Sequence, residues 1–171
     1  MTLSIREAVP EDYEELSRLI IAAYQEFAGI LGEDWEGYRD ELADIARRAT
    51  QGIQLIAETA GRLVGTVTYY PPLGDAAAAD EWWWWPKDFA YVRALGVDPE
   101  TRGEGIGRAL TLACIERARA EGAAGVALNT VSVMSAATAL YEGLGFRQTG
   151  GHVEWGGRKL LSYVLDIDEI C

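Results

Sequence analysis

Leu95-Gly96-Val97-Asp98-Pro99-Glu100-Thr101-Arg102-Gly103-Glu104-Gly105-Ile106-Gly107-Arg108-Ala109-Leu110 holds a strand end, a tight glycine-rich turn and a helix start in succession. Upstream, Phe89, Tyr91, Val92, Leu95 and Val97 form an apolar, aromatic-rich stretch with strand character, and Asp98-Pro99 stops it with turn chemistry. Downstream the period changes. Ile106, Leu110, Ala113, Cys114 and Ala118 recur at three- and four-residue spacing, so the glycines sit where a helix opens and its first N–H groups lack partners. Gly103, Gly105 and Gly107 remove Cβ atoms that would hold a ligand off the backbone, and the helix adds about half a positive charge at its N-terminus. A diphosphate meets that demand, with each backbone donor to a charged oxygen contributing about 1.5–3 kcal/mol and Arg102 and Arg108 adding cations at the rim. A loop that merely turns the chain is the plainer alternative.

Two better-known phosphate motifs do not fit. A nucleotide P-loop requires Lys and then Ser or Thr after its last glycine, and Arg108 follows Gly107 here. A dinucleotide fingerprint places its third glycine further on, within a repeated βαβ pattern. Arg102-Gly103-Glu104-Gly105-Ile106-Gly107 resembles instead the acetyl-CoA loop of the GCN5-related N-acetyltransferase (GNAT) superfamily, in which Arg or Gln is followed by two residues, Gly, one residue, and Gly or Ala. A second stretch, Ala136-Ala137-Thr138-Ala139-Leu140-Tyr141-Glu142-Gly143-Leu144-Gly145-Phe146, is similar to that superfamily's helix ending in Leu-Tyr-Glu-x-x-Gly-Phe. The resemblance extends from the opening Ile5-Arg6-Glu7-Ala8 to the closing stretch from Leu160 to Ile167. One departure concerns the cofactor: many members carry Asn seven residues before the tyrosine, where this chain has Met134, so that amide contact is absent; Ser135 stands ready to cap the helix.

The resemblance implies an α/β GNAT fold with a mixed, mostly antiparallel central sheet of about seven strands, splayed strands 4 and 5, and about four flanking helices, forming a single domain over residues 1–171. It implies acetyl-CoA as co-substrate, its pantetheine arm lying along Leu95, Gly96 and Val97 as if adding a strand, with Gly96 supplying a bend. The diphosphate would lie on Arg102, Gly103, Glu104, Gly105, Ile106, Gly107 and Arg108. Asn129 reaches the cofactor or acceptor from its strand, or is a polar residue satisfied by its neighbours. Tyr141 is the implied catalytic residue, its phenol donating to the departing thiolate; a core tyrosine ending an amphipathic helix is the alternative.

The implied reaction is direct attack of an amine on the acetyl thioester. An alkyl amine of pKa about 10.4 is neutral in roughly one molecule in 2,500 at pH 7, a cost near 4.6 kcal/mol, so a proton acceptor helps. No residue announces itself as that base. Histone-type members carry glutamate at the strand position that Tyr91 occupies here, which makes Tyr91 an acceptor-binding candidate; Glu81, Asp88, Glu33 or an ordered water remain for the base. His152, the one histidine, sits on a late strand beside a glycine-rich turn, where a surface or core role competes with a basic one.

Trp82-Trp83-Trp84-Trp85 follows Ala76-Ala77-Ala78-Ala79-Asp80-Glu81. Four adjacent indoles cannot all face one core in either a strand or a helix, so some apolar surface stays available. One use is a wall of the acceptor pocket in which Trp84 attracts an amine by cation–π contact beside Glu81. A homodimer contact and plain loop packing are the others.

Composition bounds the rest. A chain of 171 residues with 49% hydrophobic content is near one domain's worth and has ample core material. The net charge of −12, with 15 Lys plus Arg against 27 Asp plus Glu, argues against nucleic acid as a partner and mildly favours a cationic acceptor. The sequence shows no basic segment leading into an apolar run and no stretch long enough to span a membrane, so the expected setting is cytoplasmic with no membrane partner. Cys114, on the apolar stripe of a helix, and Cys171 form neither a disulfide framework nor a metal cluster, and no metal is expected.

Periodicity predicts a strand from Leu3 to Ala8, a helix from Pro10 to Phe27, a second helix from Trp35 to Ala49, and a hairpin of Ile53 to Glu58 with Leu63 to Tyr70 around Gly61. After the signature strand and helix come a strand from Gly125 to Val131, a helix from Ser135 to Gly143, and strands Phe146 to Trp155 and Arg158 to Ile167 joined at Gly156-Gly157. The functional expectation is an acetyl-CoA-dependent N-acetyltransferase acting on a primary amine of a small molecule or peptide. The alternatives are a non-catalytic acyl-CoA-binding sensor, and a transferase for another acyl group or a hydroxyl acceptor.

Overall fold

The computed structural model describes residues 2–74, 86–155 and 158–169. Seven strands form one sheet in the order β1-β2-β3-β4-β5-β7-β6: β1 Leu3–Glu7, β2 Ile53–Thr59, β3 Arg62–Tyr70, β4 Phe89–Val97, β5 Gly125–Val131, β6 Arg147–Trp155 and β7 Arg158–Asp166. The β1–β2, β2–β3, β5–β7 and β6–β7 pairs are antiparallel, while β4 and β5 run parallel with Phe89–Val92 set against Gly125–Leu128. Among the described residues, four helices of nine or more residues accompany the sheet: α1 Tyr13–Tyr24, α3 Trp35–Ala43, α5 Ile106–Ala120 and α6 Ser135–Gly143. The short α2 Ala28–Leu31 and α4 Ile45–Ala49 complete the set. The glycine pair expected to join the last two strands, the Trp82 to Trp85 run, Glu81 and Cys171 lie outside the described residues.

By compactness the chain divides into two units, Met1–Tyr69 with Ala94–Ala113 and Tyr70–Arg93 with Cys114–Cys171. In the first, the apolar stripe of α1 (Leu16, Leu19, Ile20) packs with Leu42, Ile45, Ile56 and Leu63, each such side chain contributing about 1.5–3 kcal/mol when taken out of water. The helix begins as expected at Pro10, through a 3-10 turn Pro10–Asp12, and ends in another, Gln25–Phe27. The β2–β3 hairpin closes through Ala60 (φ 50°) and Gly61 (φ 75°), with Thr59 opposite Arg62. Two successive left-handed residues twist in the sense of the strands they join.

The expected single helix from Trp35 to Ala49 is two helices. Asp44 leaves helical geometry (φ −80°, ψ 70°) and its Oδ1 accepts the Arg47 N–H at 3.0 Å, so it caps α4. Buried Arg48 then donates to the Glu41 and Leu42 carbonyls (2.5 and 2.6 Å) and to Thr68 Oγ1 (3.2 Å), satisfying the end of α3. Ser135 likewise does not cap α6: Met134 occupies the cap position and no side chain bonds there.

In the second unit Phe89, Tyr91, Tyr70, Ala127 and Val164 pack together. Gly125 permits the β4–β5 pairing physically, because a Cβ there would overlap the Phe89 ring and lie 2.5 Å from the Leu165 carbonyl oxygen. Gly125→Val is expected to destabilise the fold by about 2–4 kcal/mol through overpacking, read as a lowered urea midpoint. Cys114 is buried on α5, and burial pushes its thiol up from 9.0 to about 12. It therefore stays neutral at physiological pH and is inert. A thiol reagent at pH 8 should label Cys114 only after unfolding, as read by peptide mass mapping. Because the folded thiol holds its proton to higher pH than the unfolded one, this group's contribution to stability declines as pH rises from about 9 toward 12.

Candidate active site

The glycine-rich run is built as a turn into a helix. Asp98 ends β4, its N–H donating to the Val64 carbonyl at 2.9 Å and its side chain accepting the Glu100 N–H at 3.0 Å. Strand alternation turns the N–H and C=O groups of Leu95 and Val97 to the edge of β4 away from β3. After the 3-10 turn Pro99–Thr101, Gly103 and Gly105 adopt φ of 84° and 81°. A Cβ at either would meet nothing within 4 Å, so conformation and not crowding requires glycine there, and the space above the loop is open. The helical ladder of α5 starts with Ala109 N–H donating to the Gly105 carbonyl (3.0 Å), leaving the N–H groups of Ile106, Gly107 and Arg108 in the turn that has no intrahelical acceptor. Ile106 anchors this turn: it is buried, and its Cγ2 lies 2.8 Å from where a Gly65 Cβ would sit. Glu104 and Arg108 are exposed.

Two expected roles change. The left-handed residue of β4 is Ala94, at φ 54°, two residues before Gly96. An L-residue there costs of order 1–2 kcal/mol, held in place by its burial in the α1 core. What Gly96 provides is space, since a Cβ would lie 2.5 Å from Ile20 Cδ1 and 3.2 Å from Ala23 Cβ. Arg102 is not a free cation at the loop rim. Its guanidinium donates to the Ala23 carbonyl at 2.8 Å and pairs with Glu26 at 2.6 Å.

The other unit carries Tyr91, Asn129 and Tyr141. Tyr91 and Asn129 come together, the Asn129 amide donating to Tyr91 Oη at 3.2 Å while Ser162 Oγ donates to Asn129 Oδ1 at 2.9 Å. Ser162 is the register partner of Asn129 across β5 and β7, a relation no motif could have revealed. Tyr91 is buried and lies against Tyr70, ring centroids 6.1 Å apart. Tyr141 ends α6 buried, 5.7 Å from Phe146 between ring centroids, and its carbonyl accepts the Phe146 N–H at 3.0 Å, which closes the helix through Gly145 at φ 93°. Tyr163 donates to Glu142 at 3.1 Å, and burial followed by that carboxylate pushes its phenol up. Of the candidate bases, Glu33 and Asp88 are exposed. His152 pairs with Leu161 along β6 and β7. Among the described residues no group of three or more His, Cys, Asp or Glu is placed to hold a metal ion, and no helix is long and apolar enough to cross a membrane.

Known proteins share this fold. N-acetyltransferase 8 of Mus musculus is 31% identical over 153 residues, covering 82% of this chain and 60% of its own. The chain spans about half the length of other curated relatives it matches. Among solved structures, the PaiA N-acetyltransferase of Thermoplasma acidophilum in complex with coenzyme A superposes with a TM-score of 0.73 at 20% identity, covering 95% of this chain and 98% of that one. A GNAT family acetyltransferase of Brucella melitensis in complex with acetyl-CoA superposes with a TM-score of 0.65 at 23% identity, covering 96% and 88%. The acetyltransferase (GNAT) family model matches residues 14–146, taking in both motifs, the sheet from β2 to β5 and the loop that opens α5, and the chain belongs to that family.

Proposed function

We propose that this protein is an acetyl-CoA-dependent N-acetyltransferase for a primary amine of a small molecule or peptide, with residues 1–171 forming one catalytic domain. The observation that carries the reading is the loop of Gly103 to Arg108, where two left-handed glycines leave open space before N–H groups that lack helical acceptors. Those donors would hold the diphosphate, and the outward N–H and C=O groups of Leu95 and Val97 would pair with the pantetheine amides. Acetyl-CoA in a structural neighbour of the same fold supports the choice of ligand.

In the reaction the amine nitrogen attacks the thioester carbonyl, the C–N bond forms, the C–S bond breaks, and the proton lost by the amine passes through water to the departing thiolate, giving an amide and free coenzyme A thiol. Tyr141 is the proposed donor to the thiolate. A thiol near pKa 8.5 and a phenol near 10 make complete proton transfer uphill by roughly 2 kcal/mol, so a hydrogen bond suffices. Tyr91, held by Asn129, faces the acceptor in this reading, while Glu81 and Trp84 remain its proposed acceptor contacts. The setting is cytoplasmic.

Free thiol release from acetyl-CoA across a panel of alkyl amines, amino acids and peptides tests the assignment. A chain that binds coenzyme A and releases thiol with none of them is a sensor. Tyr141→Phe is expected to lower kcat about ten- to a thousand-fold while changing the coenzyme A Kd by no more than a few-fold; unchanged turnover removes Tyr141 from the chemistry. Gly105→Ala, which forces a side chain into left-handed backbone, should weaken coenzyme A binding about tenfold by calorimetry.

A further inference from the structure

The last turn of α1 touches both parts of the cofactor loop by separate bonds. Gly96 lets the helix lie against β4, with Ile20 and Ala23 filling the place of a Cβ. At that distance Tyr24, the next residue, donates its O–H to the Leu95 carbonyl at 2.9 Å. In the same turn, the Ala23 carbonyl accepts Arg102 at 2.8 Å and Glu26 pairs with the same guanidinium. The Tyr24 ring is itself held edge-on by Phe27 and Tyr38, at 6.1 and 6.0 Å between centroids. Tyr24 therefore spans from an aromatic cluster to a main-chain carbonyl of β4, and Arg102 spans from the phosphate loop to the end of the same helix.

We propose that Tyr24 and Arg102 are positioning residues, Tyr24 setting the β4 backbone that meets pantetheine and Arg102 fastening the diphosphate loop to the C-terminal turn of α1. The proposal rests on the acetyl-CoA reading given above and adds to it a division of labour: one latch for each half of the cofactor. Neither side chain needs to touch coenzyme A. A carbonyl has two lone pairs, so the bond from Tyr24 leaves Leu95 able to accept a second donor while fixing the direction in which it points.

Calorimetry with two ligands separates the latches: coenzyme A, and adenosine 3′-phosphate 5′-diphosphate, which has the diphosphate but no pantetheine. Tyr24→Phe keeps the ring cluster and removes one O–H; it should weaken coenzyme A about five- to tenfold and leave the nucleotide within twofold, with the melting temperature unchanged. Arg102→Gln should weaken both ligands alike. Glu26→Gln decides the role of Arg102 by sign. Freed from Glu26, a phosphate-binding arginine would tighten both ligands, whereas a latch that has lost an anchor weakens them about two- to threefold. Equal loss of both ligands in Tyr24→Phe, no loss in either, or a gain in Glu26→Gln overturns the proposal. Wild-type chain that binds neither ligand overturns the acetyl-CoA reading itself and the latches with it; wild-type binding with unaltered variants overturns the latches alone.

Discussion

Gly96 has no Cβ, so α1 lies against β4 closely enough for Ile20 and Ala23 to occupy the space a side chain would need. The two bonds that tie the end of α1 to β4 and to the glycine-rich loop depend on that approach. With the helix there, Tyr24 reaches the Leu95 carbonyl and the Ala23 carbonyl reaches Arg102. A helix displaced by even one methyl group would lose both bonds, because hydrogen bonds weaken steeply over the few tenths of an ångström that packing can concede. The left-handed Ala94 next to this contact is tolerated for the same reason: the buried core around it leaves the strand no other course.

The glycines of this chain therefore answer two different demands. Gly103 and Gly105 have open space around them and are required by backbone torsion, which suits a surface that must receive something. Gly65, Gly96 and Gly125 have unremarkable torsions and are required by neighbours, which suits surfaces that are already filled. Gly103 and Gly105 form the loop before α5, and Gly65 and Gly96 set the elements packed around it.

The second unit holds a different arrangement, a polar chain across β4, β5 and β7. Tyr91 Oη accepts a hydrogen bond from Asn129, which Ser162 orients in turn. A phenol so held is a fixed polar contact and a poor base at neutral pH.

Strand and helix order, the β2–β3 hairpin, the phosphate-type loop and the α6 motif were all legible along the chain, because each depends on local periodicity, turn residues or fixed short spacing. The break at Asp44 was not, since an aspartate on the polar side of a helical pattern looks the same whether it faces water or caps a new helix, and Arg48, which completes the break, acts from four residues away through β3. At Gly96 the chain shows that a side chain is missing but not that Ile20 and Ala23 fill the gap. The partners of Arg102, Tyr24 and Asn129 come from 79, 71 and 33 or 38 residues away. Chain order by itself determined which backbone groups are offered to a ligand, through glycine torsion and helix ends; only tertiary packing decided which side chains hold that backbone in place, because those contacts exist only once distant segments meet.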